Sequence, residues 1–183
     1  MKGSSIKLFE LYKKVESTPK EFKPPAGLGL KYAFEKRKVE KGLTIMKKII
    51  RQSLSENEGI FSEGIQKLKE LKNHPNYYIK HRAAGILSEF NETENKIISK
   101  LEKIEDKTMS YRSNHALGGV GEIQKILKEN NGSRRIKIAG LESLRRIALK
   151  HSNNEIHNAS LASIKDFLKK EKGLKNGFSN QQH

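Results

Sequence analysis

Residues 65–90 read IQKLKELKNHPNYYIKHRAAGILSEF, and the spacing of their apolar positions decides the fold. Ile65, Leu68 and Leu71 recur at intervals of three. That places them on one face of a helix, with Lys67, Lys69, Glu70 and Lys72 turned elsewhere. Asn73-His74-Pro75-Asn76 ends this helix, because Pro75 has no amide hydrogen to donate and drives the residue before it out of helical geometry. A second helix follows, expected to bury Ile79, Ala83, Ala84, Ile86, Leu87 and Phe90, with Ala83-Ala84-Gly85 admitting a close helical neighbour. A pair this short cannot cover its own apolar face, so further helices must stack on it.

The second helix carries an aliphatic-basic pair, Ile79-Lys80, then a small pair, Ala83-Ala84, then an apolar pair, Ile86-Leu87. In this it resembles the HEAT repeats, in particular the short HEAT-like type. The same register fits Ile136-Lys137, Gly140-Leu141 and Ser143-Leu144, and more loosely the segments beginning at Ile156 and Arg112. The four registers start 33, 24 and 20 residues apart, an uneven period that an irregular helical bundle also produces. The resemblance implies an all-α fold, an α-α superhelix or HEAT-like solenoid of antiparallel helix pairs.

Further along the chain, Thr93 is placed to cap a helix over 94–105 that buries Ile97, Ile98, Leu101 and Ile104. The next helix, about 109–129, holds Gly118, Gly119 and Gly121. Glycine costs about 1 kcal/mol against alanine inside a helix, so such a cluster predicts a kink or a close helix contact. It is not a dinucleotide loop, since Gln124 stands where the last glycine of G-x-G-x-x-G belongs. Asn130-Asn131-Gly132 is expected to end the helix through a left-handed residue. Ser133 then caps a helix over 134–150 with Ile136, Leu144 and Ile147 inward. A last helix covers 155–170, and 171–183 reads as a polar tail.

Toward the N-terminus, residues 4–16 predict a short helix with Leu8, Leu11, Tyr12 and Val15 on one side, packed against the end of the helical array. STPKEFKPPAGLGL, residues 17–30, is a linker by its prolines and glycines. Three segments result: 1–30, a short helix and linker; 31–170, the helical-repeat domain; and the tail. Residues 31–54 predict a long helix with Tyr32, Val39, Leu43, Met46 and Ile50 on a narrow apolar stripe.

On that helix Lys36, Arg37, Lys41, Lys47, Lys48 and Arg51 fall within an arc of about 140°, with Glu40 the one acid among them. Like charges at i,i+4 repel by a few tenths of a kcal/mol, so stability does not favour this face; it is the most specific polyanion-binding signal in the chain, with a solvated charged face as the alternative. Arg134 and Arg145 lie on one line of the later helix, and Arg135 and Arg146 on another. Guanidinium forks suit phosphate oxygens, which makes these arginines a second candidate surface. A formal net charge of +16 points the same way, because such a surplus concentrates nucleic acid or ribonucleoprotein around the protein.

The chain contains no cysteine, which excludes disulfides and thiolate zinc sites. Serine-elbow, H-E-x-x-H and P-loop motifs are missing. No catalytic residue, metal site or cofactor is expected. No secretory signal or membrane-length apolar run is read, so the expected setting is intracellular and cytoplasmic, near a nucleoid or nucleus if the partner is there. The reading is a non-enzymatic protein that contacts RNA, DNA or a nucleoprotein through phosphates. The alternative is an adaptor or scaffold holding an acidic protein in a HEAT-like groove. A remote alternative is a HEAT-like DNA glycosylase. That family's active clefts are rich in tryptophan, which this chain lacks, so no catalytic residue is carried over.

Overall fold

The structure is a computed structural model that describes residues 2–19, 29–110 and 114–179, with the side chains of 3–19, 33–110 and 115–170. Among these there are seven helices and no strand: α1 (Lys2–Glu16), α2 (Gly29–Glu56), α3 (Glu58–Leu71), α4 (Tyr77–Ser110), α5 (Asn114–Glu129), α6 (Arg134–Lys150) and α7 (Asn154–Ser179). The chain divides into two compact units. One is Met1–Glu94 with Asn130–Arg134, and the other is Asn95–Glu129 with Arg135–His183.

In the first unit α1 packs on α2 and α3. Leu8, Tyr12 and Val15 are buried, as are Val39, Leu43, Met46 and Ile50 of α2, so the stripes expected for both helices face one core. The Tyr32 side chain lies outside the described residues. Fully burying a leucine or isoleucine stabilises by about 1.5–3 kcal/mol, and Leu8, Leu43, Ile50, Leu68 and Ile79 are all wholly removed from solvent in this core. Phe61 and Phe90 meet edge to face, centroids 6.0 Å apart, the arrangement the ring quadrupole favours. Asn57 caps α3, its Oδ1 accepting from the Ile60 amide at 3.0 Å. Gly64 is required there: a Cβ would stand 2.3 Å from Ile50 Cγ1.

The Pro75 turn joins α3 to α4 as expected. His74 is buried, its Nδ1 accepting from the Asn76 amide at 3.0 Å, which leaves Nε2 to donate to the Glu16 carbonyl at 3.0 Å. Asn76 donates to the Pro19 carbonyl, so the turn pins the exit of α1. On α4, Ile79, Ala83, Ile86, Leu87 and Phe90 are buried, while Ala84 is half-buried and Gly85 is exposed with open space where a Cβ would stand. Among the described residues, the close helical neighbour expected at Gly85 is therefore not there.

The break expected before residue 94 does not occur. Asn91-Glu92-Thr93 contains neither proline nor glycine, and Thr93 Oγ1 donates to the Glu89 carbonyl inside a continuous helix, the in-helix alternative to capping. Gly132 is buried beside the end of α2, where its amide donates to the Leu54 carbonyl at 2.6 Å. A Cβ there would stand 2.1 Å from the Ser53 carbonyl oxygen, and the backbone is not left-handed. Gly132 is thus needed for close approach rather than for the turn conformation expected.

In the second unit α5 packs on α7. Leu101 and Ile104 of α4, Val120, Ile123 and Leu127 of α5, Leu144 and Ile147 of α6 and Ile156 of α7 are buried, whereas Ile97 and Ile98 are only half-buried. Gly119 is the close contact the glycine cluster predicted: a Cβ would lie 1.9 Å from Thr108 Oγ1, whereas Gly118 and Gly121 face open space. The register residues Ala116, Ile136 and Ile156 fall on the consecutive helices α5, α6 and α7; Arg112 itself lies outside the described residues. The spacing of 20 residues from Ile136 to Ile156, like that from Ala116 to Ile136, is thus a helix-to-helix step. The α7 backbone runs on through Ser179, past residue 170, since no proline stops it.

Candidate nucleic-acid interface

The basic arc of α2 divides into two rows. Lys36 and Lys47 turn toward α4: Lys36 Nζ lies 4.9 Å from the centre of the Tyr78 ring, and Lys47 pairs with Glu89. Between them Glu40 is taken by α4. It accepts from Tyr78 Oη and from Arg82, whose Nε reaches Oε2 at 3.0 Å while Nη2 reaches Oε1. The Arg82 hydrogen bonds hold the Glu40 carboxyl below the usual glutamate range despite partial burial. Burial and the bond to Glu40 push the Tyr78 hydroxyl up to about 12. Residues 36, 40 and 47 meet 78, 82 and 89 in ascending order, so these stretches of α2 and α4 run side by side in the same direction.

Arg37, Lys41, Lys48 and Arg51 form the outer row and are all exposed. Their spacing of four, seven and three residues keeps them on one face, with Thr44 and Ser55 completing it. At 1.5 Å per residue the four cations extend over roughly 21 Å. Arg37, Lys41 and Lys48 make no ion pair or hydrogen bond among the described residues. The Glu89 carboxyl is lowered chiefly by its hydrogen bond from Lys47, and the charge of Arg51 adds to this at a distance. The row contains no carboxylate.

The arginines of α6 also divide. Arg134, Arg135 and Arg145 are exposed, with Arg135 Nη2 donating to Asn95 Oδ1 at 3.0 Å. Arg146 is half-buried and forks onto Glu105, Nε to Oε1 at 2.6 Å and Nη2 to Oε2 at 2.7 Å. Burial alone would raise the Glu105 carboxyl, but the bonds from Arg146 and Ser143 outweigh it and the group is lowered. Arg146 therefore serves the interior of its unit, and its three companions face solvent.

Sequence spacing found both rows of the α2 arc but not their division. Tyr78 and Arg82 were missed as partners of Glu40; their i,i+4 spacing put them on one face without saying which helix it meets. His151 accepts from the Asn153 amide, and His157 Nδ1 lies 2.5 Å from the Ala148 carbonyl oxygen, so both rings are used locally. Among the described residues no cluster of His, Asp or Glu could hold a metal ion, and no helix is long and apolar enough to cross a membrane. No known protein family, curated protein or solved structure matches the chain.

Proposed function

We propose that this chain is a non-enzymatic binding protein that holds RNA, DNA or a nucleoprotein through phosphate contacts along the outer row of α2, on helices arranged as a HEAT-like solenoid. The observation that carries this reading is the row Arg37, Lys41 and Lys48, unpaired among the described residues and continued by Arg51, beside a Glu40 already neutralised by Arg82. Cations that repel one another and serve no partner among the described residues favour a polyanion laid across them. Such contacts position a strand without reading its sequence. Exposed Arg134, Arg135 and Arg145 offer a second set of phosphate donors.

The test compares two variants of equal charge. One carries Arg37→Ala, Lys41→Ala, Lys48→Ala and Arg51→Ala; the other carries Lys96→Ala, Lys103→Ala, Lys128→Ala and Lys165→Ala, all exposed positions of the second unit. Loss of oligonucleotide affinity in the first variant alone supports the reading. Equal loss in both makes the charge generic.

Exposed Ile138 and Leu149 beside Arg145 favour a second reading, an adaptor for an acidic protein with an apolar face. A partner that stays on the protein after nuclease treatment, and leaves when Ile138 and Leu149 become serine, supports it.

A further inference from the structure

Tyr77, at the start of α4, is 75% exposed, the most exposed of the large apolar or aromatic residues described. Its ring lies against exposed His81, centroids 3.9 Å apart and planes tilted by 46°. One turn on, Gly85 leaves bare helix surface, with nothing within 4 Å of a would-be Cβ. Packing does not explain either feature: the tyrosine buries little, and an exposed glycine weakens the helix that holds it.

Their position relates them to the α2 row. On α4 the residues Ile79, Ala83 and Ile86 face the core, Tyr78, Arg82 and Glu89 face α2, and Tyr77 and His81 lie about 100° further round. On α2 the residues Lys36, Glu40 and Lys47 face α4, and Arg37 and Lys41 lie a similar step beyond. Both sets therefore point to the same solvent side. Because the helices run in the same direction, with Tyr78 and Arg82 at the level of Lys36 and Glu40, Tyr77 and His81 stand level with Arg37 and Lys41. The axes of two packed helices lie roughly 8–10 Å apart, so the two sets flank one seam.

We infer that the site takes single-stranded nucleic acid: a base stacks on Tyr77 beside His81, over the gap at Gly85, while its backbone follows Arg37 and Lys41. This rests on the phosphate-binding reading above and narrows it. A duplex keeps its bases stacked inside and can use the cations but not the ring. An unpaired strand offers phosphate and base face together, the combination that sequence-tolerant single-strand binders use.

The experiment measures binding of the full chain to four 12-nucleotide probes at 50 mM salt: single-stranded RNA, single-stranded DNA, an abasic strand and duplex DNA. Tyr77→Ala should lower affinity for one or both base-bearing single strands about tenfold and leave the abasic strand and duplex unchanged. Tyr77→Phe should retain wild-type binding. An effect on RNA alone assigns the site to RNA. If Tyr77→Ala binds base-bearing strands as wild type does, while Arg37→Ala with Lys41→Ala weakens them, the stacking inference is overturned and the phosphate reading stands. Equal weakening of the abasic strand by Tyr77→Ala overturns it as well. Failure of wild type to bind any probe removes both.

Discussion

The Arg82 guanidinium closes over the Glu40 carboxylate from a neighbouring helix, Nε meeting Oε2 at 3.0 Å and Nη2 meeting Oε1. The pair does two things at once. It ties α4 to α2, and it cancels the one acid within the basic arc of α2. Both groups are part-exposed, with side-chain exposures of 45% and 35%, so the contribution to stability is of the order of 1 kcal/mol or less.

The lowered carboxyl of Glu40 gives a pH signature. A glutamate whose folded value is depressed contributes stability above its unfolded value, about 4.3, and loses it as pH falls through the lower folded value. Glu105 shares this direction. Denaturant melts of wild type and Glu40→Gln should therefore differ by up to about 1 kcal/mol at pH 7. The curves should converge as pH drops below about 4.

Two glycines should respond in opposite ways to alanine. At Gly132 a Cβ meets backbone carbonyl oxygens of Ser53 and Leu54 at 2.1 and 2.6 Å, which cannot swing aside as a side-chain end could. Gly132→Ala should cost about 1–3 kcal/mol. At Gly118 the space is open, so Gly118→Ala should stabilise by about 0.5–1 kcal/mol. Thermal denaturation of the two variants checks both signs.

Ser160 is fully buried, and its hydroxyl has no hydrogen-bond partner among the described residues. An unmet buried hydroxyl costs more than it contributes. Ser160→Ala should leave stability unchanged or raise it by about 1 kcal/mol. A decrease, measured by urea denaturation, would show that the hydroxyl has a role.

Much of this was legible in the sequence, for reasons that particular residues make plain. Pro75 admits one local outcome, so the α3–α4 turn could be read directly. Val39, Leu43, Met46 and Ile50 bury as their spacing dictates, because helical period alone fixes a shared face. What escaped depends on partners far along the chain. Glu40 meets Arg82 across 42 residues, and Gly132 meets Leu54 across a still longer gap. Nothing local records either meeting. Thr93 misled because its hydroxyl serves equally as a cap or as a donor to the preceding turn, and with neither proline nor glycine before it the helix runs on. The outer row of α2 was legible as charge; that Lys36 and Lys47 belong to the seam with α4 was not.

The His74 ring bridges the exit of α1 and the start of α4 through two bonds. His74→Ala should cost about 1–3 kcal/mol, since it leaves a buried amide and a carbonyl unmet. Amide exchange should speed up in α1 before it does in α3, which would locate the damage at the tether.

The most direct test of the account is the salt dependence of binding to a mixed-sequence single strand. Removing one phosphate-binding cation should flatten the slope of log Kobs against log salt by about 0.7. Neutralising Arg37, Lys41, Lys48 and Arg51 together should therefore flatten it by about 3. An unchanged slope in that variant would contradict the account, because it would mean that the outer row of α2 does not carry the phosphates.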